Sequence, residues 1–256
     1  MSEISFARLY HSQYADFDDD LIFWKYAASC TSDEILELGC GSGRVLLPLA
    51  AMGRNITGID HDGNMLALLK QAIPASSLTR IQLEQADIRT FSINARFGLA
   101  IIPCNLFAYL DEDDALAALV NIRRHLDPGG SLAMDMPNAP IILDGEDLDG
   151  EVLDTFYEQF SGDPVQVTAD QIISSDLRRA DVTWHYDVLH SDGGLERIDA
   201  HRRYHLRAAE DVCAALRYAG FAEPSLYGGY QRQSYTQHSP RLLVLTRSNR
   251  TSKRMA

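Results

Sequence analysis

The sequence is poor in basic residues and has no closely spaced cysteines. Its 23 lysines and arginines are outnumbered by 36 aspartates and glutamates, which leaves a formal net charge of −13. Proteins that bind nucleic acid through its phosphates carry clustered Lys and Arg, so we expect no nucleic-acid partner. The cysteines at 30, 40, 104 and 213 form no CxxC pair. This spacing argues against a zinc site or a disulfide framework and favours a reducing compartment.

Long apolar runs are also missing. No run approaches the roughly 20 apolar residues needed to span a bilayer. No N-terminal stretch pairs basic residues with an apolar core, as a secretory leader would. We therefore expect no membrane association and a cytoplasmic location. With 256 residues, 46% of them hydrophobic, the chain can bury a core as one large domain or two small ones.

Strands and helices alternate along the first half of the chain. Apolar periodicity predicts helices over 16–29, 44–52, 63–72 and 111–126, and strands at 34–39, 55–60, 81–87, 97–105 and within 127–138. Pro48 is expected to kink the second of these helices, because proline removes a backbone hydrogen bond. Strands that alternate with helices predict an α/β fold, a doubly wound parallel sheet covered on both faces.

The alternation stops after Asn138. From about Glu151 to Leu206 the sequence predicts strands, and those at 181–190 and 195–206 are joined at SDGG, which is a hairpin signal. The alternation then resumes with a helix over 208–220 and strands within 221–230 and 241–248. The chain thus predicts a doubly wound core interrupted by a small antiparallel insertion.

A glycine-rich turn follows the first predicted strand. In ELGCGSGR the glycines are Gly39, Gly41 and Gly43. Such a turn between a strand and a helix lets a ligand approach the backbone closely. The phosphate-binding pattern that ends in GK[ST] is absent, and the third glycine of the dinucleotide fingerprint would fall on Arg44. A nucleotide-like ligand other than a nucleoside triphosphate or NAD is favoured.

Acids stand near the ends of the first three predicted strands, at Glu37, Asp60 and Asp87. Each one alone could equally cap a helix or face water. A glycine pattern alone is a weak signal, and the presence of all three acids beside the turn strengthens it.

Together these segments resemble the class I S-adenosylmethionine-dependent methyltransferases, in their small-molecule subgroup. ELGCGSGR resembles the first motif of that family, and QADI, IIPCNLFAYL and LDPGG match its later segments. The resemblance covers roughly residues 7–138 and 204–247. It implies a Rossmann-like sheet of seven mostly parallel strands, S-adenosylmethionine as methyl donor, S-adenosylhomocysteine as product and a small-molecule methyl acceptor.

The resemblance also implies roles for individual residues. The glycine turn would pass under the methionine moiety and Asp60 would bind the ribose hydroxyls. Asp87 would accept from the adenine amine, and the N–H of Ile88 would meet the ring. The residues that it assigns to the cofactor are Tyr10, Tyr14, Glu37, Gly39, Cys40, Gly41, Gly43, Asp60, His61, Met65, Asp87, Ile88, Pro103 and Cys104.

The implied organisation is a single domain, 1–256. Residues 1–30 form an N-terminal helical lid, 31–140 and 206–248 form the core, and 141–205 form the inserted β region that covers the acceptor. Tyr10 and Tyr14 lie where relatives bring a tyrosine over the cofactor, although His11 replaces the aspartate that many of them have. The two rings could equally pack a terminal helix.

Within the insertion we expect Trp184, Tyr186, His201 and Arg203 to be the side chains that touch the acceptor. Strand alternation lets only some of them do so, since Trp184 and Tyr186 share one face. The candidate catalytic residues are Tyr14 and His201. No spacing of His and Asp predicts a metal site.

Three alternatives stay open. The protein could bind the cofactor without catalysis, as a sensor, or it could be a nicotinamide oxidoreductase on a similar fold. The insertion could instead form a dimer interface. The sequence does not decide between a monomer and a homodimer, or between N-, O-, S- and C-methylation.

Overall fold

The computed structural model describes residues 5–31 and 34–249. Its helices are α1 Phe6–Tyr14, α2 Leu21–Ser29, α3 Leu46–Ala51, α4 Gly63–Ala72, α5 Glu112–His125, α6 Ala139–Leu143 and α7 Ala209–Tyr218. Its strands are β1 Ile35–Leu38, β2 Ile56–Asp60, β3 Ile81–Gln85, β4 Phe97–Ile102, β5 Leu126–Pro137, β6 Leu148–Tyr157, β7 Pro164–Ser174, β8 Arg179–Leu189, β9 Leu195–His205, β10 Ser225–Tyr227 and β11 Arg241–Arg247. Residues 1–4 of the predicted lid and 32–33 of the predicted core lie outside the described residues.

The larger sheet has seven strands in the order β10-β11-β5-β4-β1-β2-β3. Strands β1 to β5 pair in parallel, while β11 runs antiparallel to β5 and β10 antiparallel to β11. The predicted doubly wound, mostly parallel sheet is confirmed. The strand order reverses between β1 and β4, and in such sheets a crevice forms at the carboxyl ends of the strands at this point.

Two apolar layers cover this sheet. Strands β1, β2 and β4 are buried along their whole length, as expected for parallel strands with helices on both faces. One layer packs α5 and α7 against Leu36 and Leu38, and the other packs α2, α3 and α4 against Ile35 and Leu99. Successive side chains of β1 therefore point to opposite faces of the sheet, so this one short strand contributes to both apolar layers.

Several predicted boundaries were wrong. Helix α2 begins at Leu21 rather than at residue 16, because Asp20 turns inward and its Oδ2 accepts a hydrogen bond from Trp24 Nε1 at 2.9 Å. Helix α3 begins at Leu46. Pro48 therefore lies in its first turn. Backbone N–H groups in the first turn have no acceptor within the helix, so a proline there removes no helical hydrogen bond. Strand β10 holds only Ser225–Tyr227 of the stretch predicted at 221–230.

The inserted strands form a second sheet, four antiparallel strands in the order β6-β7-β8-β9. The hairpin predicted at SDGG is confirmed, since β8 pairs with β9 and the N–H of His190 donates to the carbonyl of Gly194 at 2.8 Å. One face of this sheet carries the buried side chains of Val167 and Tyr186, and Leu9 of α1 packs against them.

Helix α1 joins the two sheets. On one side the ring of His11 is hydrogen-bonded to Ser42 Oγ of the glycine turn at 2.9 Å. On the other side the buried Arg8 pairs with Glu158, with 2.6 Å between Nη2 and Oε2, and Tyr186 donates its hydroxyl hydrogen to Gln13 Oε1 at 2.8 Å. The N-terminal helix thus forms a wall between the glycine turn and the inserted sheet.

Candidate functional site

A cavity of about 680 Å³ opens at the carboxyl ends of the parallel strands, under α1 and the inner face of the inserted sheet. A depression of about 320 Å³ adjoins it, and the two share Tyr10, Tyr14, Gly39, Gly41 and Cys104 in their walls. Among the described residues, no group of three or more His, Cys, Asp or Glu side chains is placed to hold a metal ion. Within the same ranges, no helix has the length and apolar character to cross a membrane.

The glycine turn lies against the floor of the cavity. Gly41 has φ +52°, a left-handed conformation that L side chains rarely adopt, and a Cβ built on it would meet nothing within 4 Å. The space over this residue is therefore open to a ligand. The N–H of Gly41 donates to Asp60 Oδ2 at 2.8 Å, so the turn is tied to the end of β2.

Asp60 is held at the edge of this floor. Its side chain is 9% exposed, and Oδ1 accepts from the N–H of Asp62 at 2.9 Å. A carboxylate has about four lone-pair positions, so two remain after these two backbone contacts. The fixed carboxylate can therefore accept further hydrogen bonds from a ligand in the cavity.

Glu37 contributes an unsatisfied group to the adjoining depression. It is 2% exposed, and its Oε2 has no hydrogen-bond partner within the described part of the chain. Burial raises the pKa of this carboxyl. Because a buried polar atom without a partner is costly, this oxygen is suited to a donor that a ligand supplies.

Asp87 lies past the end of β3, where the cavity meets solvent. Arg89 donates to both of its carboxylate oxygens, and this contact lowers the pKa of Asp87. Arg89 also donates to Asp114 Oδ2 at 2.8 Å, which anchors this rim to α5. His61, Met65 and Ile88 line the same end of the cavity.

Arg44 links two walls of the cavity by hydrogen bonds. The sequence did not assign this residue to the site. Its Nη1 and Nη2 donate to Asp20 Oδ1 and Oδ2 at 2.6 and 2.7 Å, and Nη2 lies 2.9 Å from Cys104 Sγ. Burial raises the pKa of the Cys104 thiol to about 12, against the opposing charge of Arg44. Cys104 is therefore a protonated wall residue. The arginine stands one residue after the last glycine of the turn, which is the only sequence signal for it.

Asp135 and Arg241 form a second pair that the sequence did not reveal. Arg241 Nη2 donates to Asp135 Oδ2 at 2.6 Å, and Tyr230 approaches the same oxygen at 3.4 Å. Arg241 also donates to Asn105, the residue after Cys104. Both Cys104 and Asn105 are left-handed, with φ 60° and 62°, so this turn is held in a conformation that non-glycine residues rarely adopt.

Aromatic side chains line the part of the cavity under the inserted sheet. The hydroxyls of Tyr109 and Tyr204 lie 3.3 Å apart, and the ring of Trp184 meets that of Tyr204 edge-on at 6.3 Å. Burial raises the pKa of Tyr109 and of Tyr204, and raises that of Tyr14 to about 12. These phenols are therefore hydrogen-bond donors, not bases, near neutral pH.

Two of the residues expected to touch the acceptor lie on the wrong face. His201 pairs with Thr183, with 2.8 Å between Nδ1 and Oγ1, and Arg203 donates to Asp181 Oδ1 at 2.6 Å. Both point away from the cavity because odd-numbered residues of β9 face outward. His201, one of the two candidate catalytic residues, is therefore not among the residues that line the cavity, whereas the other candidate, Tyr14, is. Trp184 and Tyr186 do line the cavity, and the inward neighbours Arg202 and Tyr204 were missed.

Most of the residues that the resemblance assigned to a cofactor are brought together. Those in the main cavity are Tyr10, Tyr14, Gly39, Gly41, Asp60, His61, Met65, Asp87, Ile88, Pro103 and Cys104. Glu37, Cys40 and Gly43 line the adjoining depression instead. Burial raises the pKa of the Cys40 thiol, so it too remains protonated.

Part of the sequence is similar to known methyltransferases. Residues 35–130 match the family described as a methyltransferase domain. The putative methyltransferase YqeM of Bacillus subtilis (strain 168) is 31% identical over 115 residues, which is 44% of this chain and 46% of YqeM. The chain thus spans about half the length of this curated relative.

Two solved structures resemble the whole molecule. An S-adenosylmethionine-dependent methyltransferase from Clostridium acetobutylicum ATCC 824 superimposes with a TM-score of 0.77 at 19% identity, over 95% of this chain and 98% of that one. The sugar N-methyltransferase KedS8 from Streptoalloteichus sp. ATCC 53650 gives 0.75 at 20% identity, over 97% and 95%. At these identities the likeness establishes the fold, and it extends over both sheets. Residues 35–130 thus match a methyltransferase domain, and the described residues have the fold of the S-adenosylmethionine-dependent methyltransferases to which the chain is similar.

Proposed function

We propose that the protein transfers a methyl group from S-adenosylmethionine to a small-molecule acceptor. The observation that carries this proposal is the contact between Gly41 and Asp60 in the floor of a cavity at the reversal of strand order. It supports a ligand that approaches the backbone and offers a diol, without a pyrophosphate to neutralise.

The residues around this contact fit such a cofactor. The remaining lone pairs of Asp60 would accept from the two ribose hydroxyls, and Asp87 with the N–H of Ile88 would meet the adenine. The unpartnered Oε2 of Glu37 would accept from the ammonium of the methionine moiety beside the glycine turn. Carboxylates at all three places favour a cofactor of this charge over a phosphate-bearing nucleotide.

Bound S-adenosylmethionine would supply a methyl group on a positively charged sulfur, and in-line displacement by the acceptor would leave S-adenosylhomocysteine. The chain's own contribution is orientation and the exclusion of water. Tyr10 and Tyr14 wall this region from α1, and Cys104 walls it from the end of β4. Because burial keeps Tyr14 and Cys104 protonated, they would orient ligands and would not remove a proton. An acceptor with a neutral amine or an already ionised nucleophile suits this site.

Several further features support a small acceptor in the cytoplasm. The net charge of −13 disfavours nucleic acid. The solved relative KedS8 is named as a sugar N-methyltransferase, which supports a small-molecule acceptor here. All four cysteines are free, as in proteins of a reducing compartment.

Calorimetry tests the cofactor assignment. We expect the purified protein to bind S-adenosylmethionine and S-adenosylhomocysteine and to give no heat with NAD. Incubation with a metabolite extract and methyl-labelled S-adenosylmethionine, followed by mass spectrometry, should then yield a product that gains the labelled methyl group. Tight NAD binding without a response to S-adenosylhomocysteine would overturn the proposal. Binding of S-adenosylhomocysteine without any methylated product would instead favour a sensor.

A further inference from the structure

We propose that the methyl acceptor carries a carboxylate and that Arg202 binds this carboxylate in the cavity. The inference rests on the proposed function, because it names the substrate class that the same cavity would take.

Arg202 lies on the inner face of β9, opposite Val182 of β8, and lines the cavity. Its Nη1 donates to the carbonyl of His201 at 2.8 Å, and its Cζ lies 5.3 Å from the centroid of the Phe6 ring. A guanidinium has five N–H donors. After the contact with His201, several donors remain to meet a ligand.

Arg202 differs from the other arginines that line the cavity in its ion pairs. The other arginines that line it each have a carboxylate within 4.0 Å, in the pairs Arg44 with Asp20, Arg89 with Asp87 and Asp114, and Arg241 with Asp135. Within 5–31 and 34–249, Arg202 is the cavity-lining arginine for which no carboxylate lies that close. Arg202 is exposed as a residue and lines the cavity, so its guanidinium is accessible to an anionic group of a ligand.

Hydroxyl donors stand beside this cation. The phenol oxygens of Tyr109 and Tyr204 lie 3.3 Å apart at the same end of the cavity. Burial raises the pKa of both, and the positive charge of Arg202 opposes that shift. Within this pair one hydroxyl donates to the other, which leaves one phenol hydrogen for a ligand. That hydrogen and the guanidinium of Arg202 both favour an oxyanion.

A carboxylate fits Arg202 and the neighbouring phenols better than a phosphate does. One planar guanidinium matches the charge and the two-oxygen geometry of a single carboxylate. Phosphate sites commonly add backbone N–H groups at a helix N-terminus. Here the neighbouring walls are the side chains of Trp184, Tyr186 and Phe6. They favour a small acid with an apolar or aromatic body.

The carboxylate would serve as an anchor, and a different atom of the acceptor would react. The lone pairs of this carboxylate would accept hydrogen bonds from Arg202 and a phenol, so the carboxylate would be a weak nucleophile. In the transfer, the acceptor's other nucleophilic atom forms the bond to the methyl carbon, and the electron pair of the broken carbon–sulfur bond stays on sulfur. Any proton on that atom passes to water.

The test compares an acid with its neutral isostere. We would saturate the protein with S-adenosylhomocysteine and titrate 4-hydroxyphenylacetate and 4-hydroxyphenylacetamide by calorimetry or ligand-observed NMR. We expect the acid to bind about tenfold or more tightly than the amide, since hydrogen bonds to charged groups are the stronger ones. Arg202→Gln should abolish this preference, and Arg202→Lys should restore part of it.

Arg203→Gln is the matched control, because the adjacent Arg203 pairs with Asp181 on the outer face. It should keep the preference for the acid, and all variants should keep their affinity for S-adenosylhomocysteine within about threefold. A wild-type protein that binds S-adenosylhomocysteine but shows no preference for the acid, including no binding of either probe, would overturn the inference alone. A preference that survives Arg202→Gln would also overturn it. Loss of S-adenosylhomocysteine binding in the wild type would instead refute the proposed function.

Discussion

The two halves of the cavity are built in different ways. The half at the carboxyl ends of the seven-stranded sheet, which we call the cofactor half after the proposed function, is formed by backbone turns and by carboxylates at the ends of β2 and β3. The half under the four-stranded sheet, the acceptor half, is formed by side chains that project from one face of β8 and β9. The first depends on contacts that are close in sequence. The second depends on which residues of two long strands face inward.

This difference means that the halves should respond to different changes. In the cofactor half the hydrogen bond between Gly41 and Asp60 spans 19 residues. In the acceptor half the contact between Tyr186 and Gln13 spans 173 residues. Changes near the glycine turn should therefore alter cofactor affinity, and changes in the inserted sheet should alter the acceptor or the attachment of α1.

The largest effect is expected where the halves are joined. Glu158 is fully buried and pairs with Arg8, which is 9% exposed. Glu158→Ala leaves that guanidinium without its carboxylate and should lower the free energy of unfolding by about 3 to 5 kcal/mol. Urea denaturation measures this loss.

The control for this change is Asp181→Ala. Asp181 pairs with Arg203 on the outer face, where the two side chains are 34% and 51% exposed. An exposed pair contributes about 0 to 1 kcal/mol. Equal losses in the two variants would mean that the buried pair does not fasten α1 to the inserted sheet.

A smaller effect, confined to the cofactor half, is expected from Asp60→Ala. The change removes the proposed acceptor for the ribose and the anchor for Gly41 N–H. Charged hydrogen bonds are worth about 1.5 to 3 kcal/mol, so the affinity for S-adenosylhomocysteine should fall by about 10- to 150-fold. Calorimetry on a variant with an unchanged circular dichroism spectrum checks this. Asp113→Ala, at an exposed acid outside the cavity, should bind as the wild type does, and an unaltered dissociation constant for Asp60→Ala would place the ribose contact elsewhere.

The smallest effect concerns the outer face of the inserted sheet. His185 lies between two acids, with 2.7 Å from Nδ1 to Asp199 Oδ1 and 3.0 Å from Nε2 to Asp170 Oδ2. These contacts raise the pKa of His185 in the folded protein. Its stabilising contribution is therefore complete below the unfolded-state pKa of about 6.5 and is lost as the pH rises through the higher folded-state pKa.

We expect the melting temperature of the wild type to fall slightly from pH 6 to pH 8, by about 2 °C or less from this group. His185→Gln should remove that part of the pH dependence and leave both ligands unaffected. His201→Gln on the same face, where the partner is the Thr183 hydroxyl, should keep it. Identical pH profiles for His185→Gln and the wild type would contradict the assignment.

The cofactor half was the more predictable from the sequence. The alternating pattern predicted the parallel strands, and the positions of Gly39, Gly41, Asp60 and Asp87 after those strands placed the four residues at one edge of the sheet. The pattern did not place Arg44, because its partner Asp20 fell inside the helix predicted over 16–29. Inward rotation of a polar residue depends on the buried Trp24 and on a loop 24 residues away, which local propensity does not encode.

In the acceptor half the sequence predicted the strands, but it did not show which side chains of each strand face the cavity. Alternation correctly grouped Trp184 with Tyr186, yet it gives no sign of which residues of β9 share their side. Pairing of Trp184 with Ala200 puts Arg202 and Tyr204 inside and His201 outside. A shift of one residue would have reversed this result, which is why the sequence could not show that His201 lies on the outer face.

The contacts of α1 also constrain how the chain assembles during synthesis. The helix is synthesised before the residues that hold it, because Glu158, Gln159 and Tyr186 follow Arg8, Ser12 and Gln13 by 150, 147 and 173 residues. At about 5 to 20 residues per second, the ribosome needs roughly 8 to 30 s to supply the first of them. A nine-residue helix is too short to be stable alone in water. The wall that carries Tyr10 and Tyr14 is therefore completed late, and the nascent chain can close its ligand cavity only after the inserted sheet has left the exit tunnel.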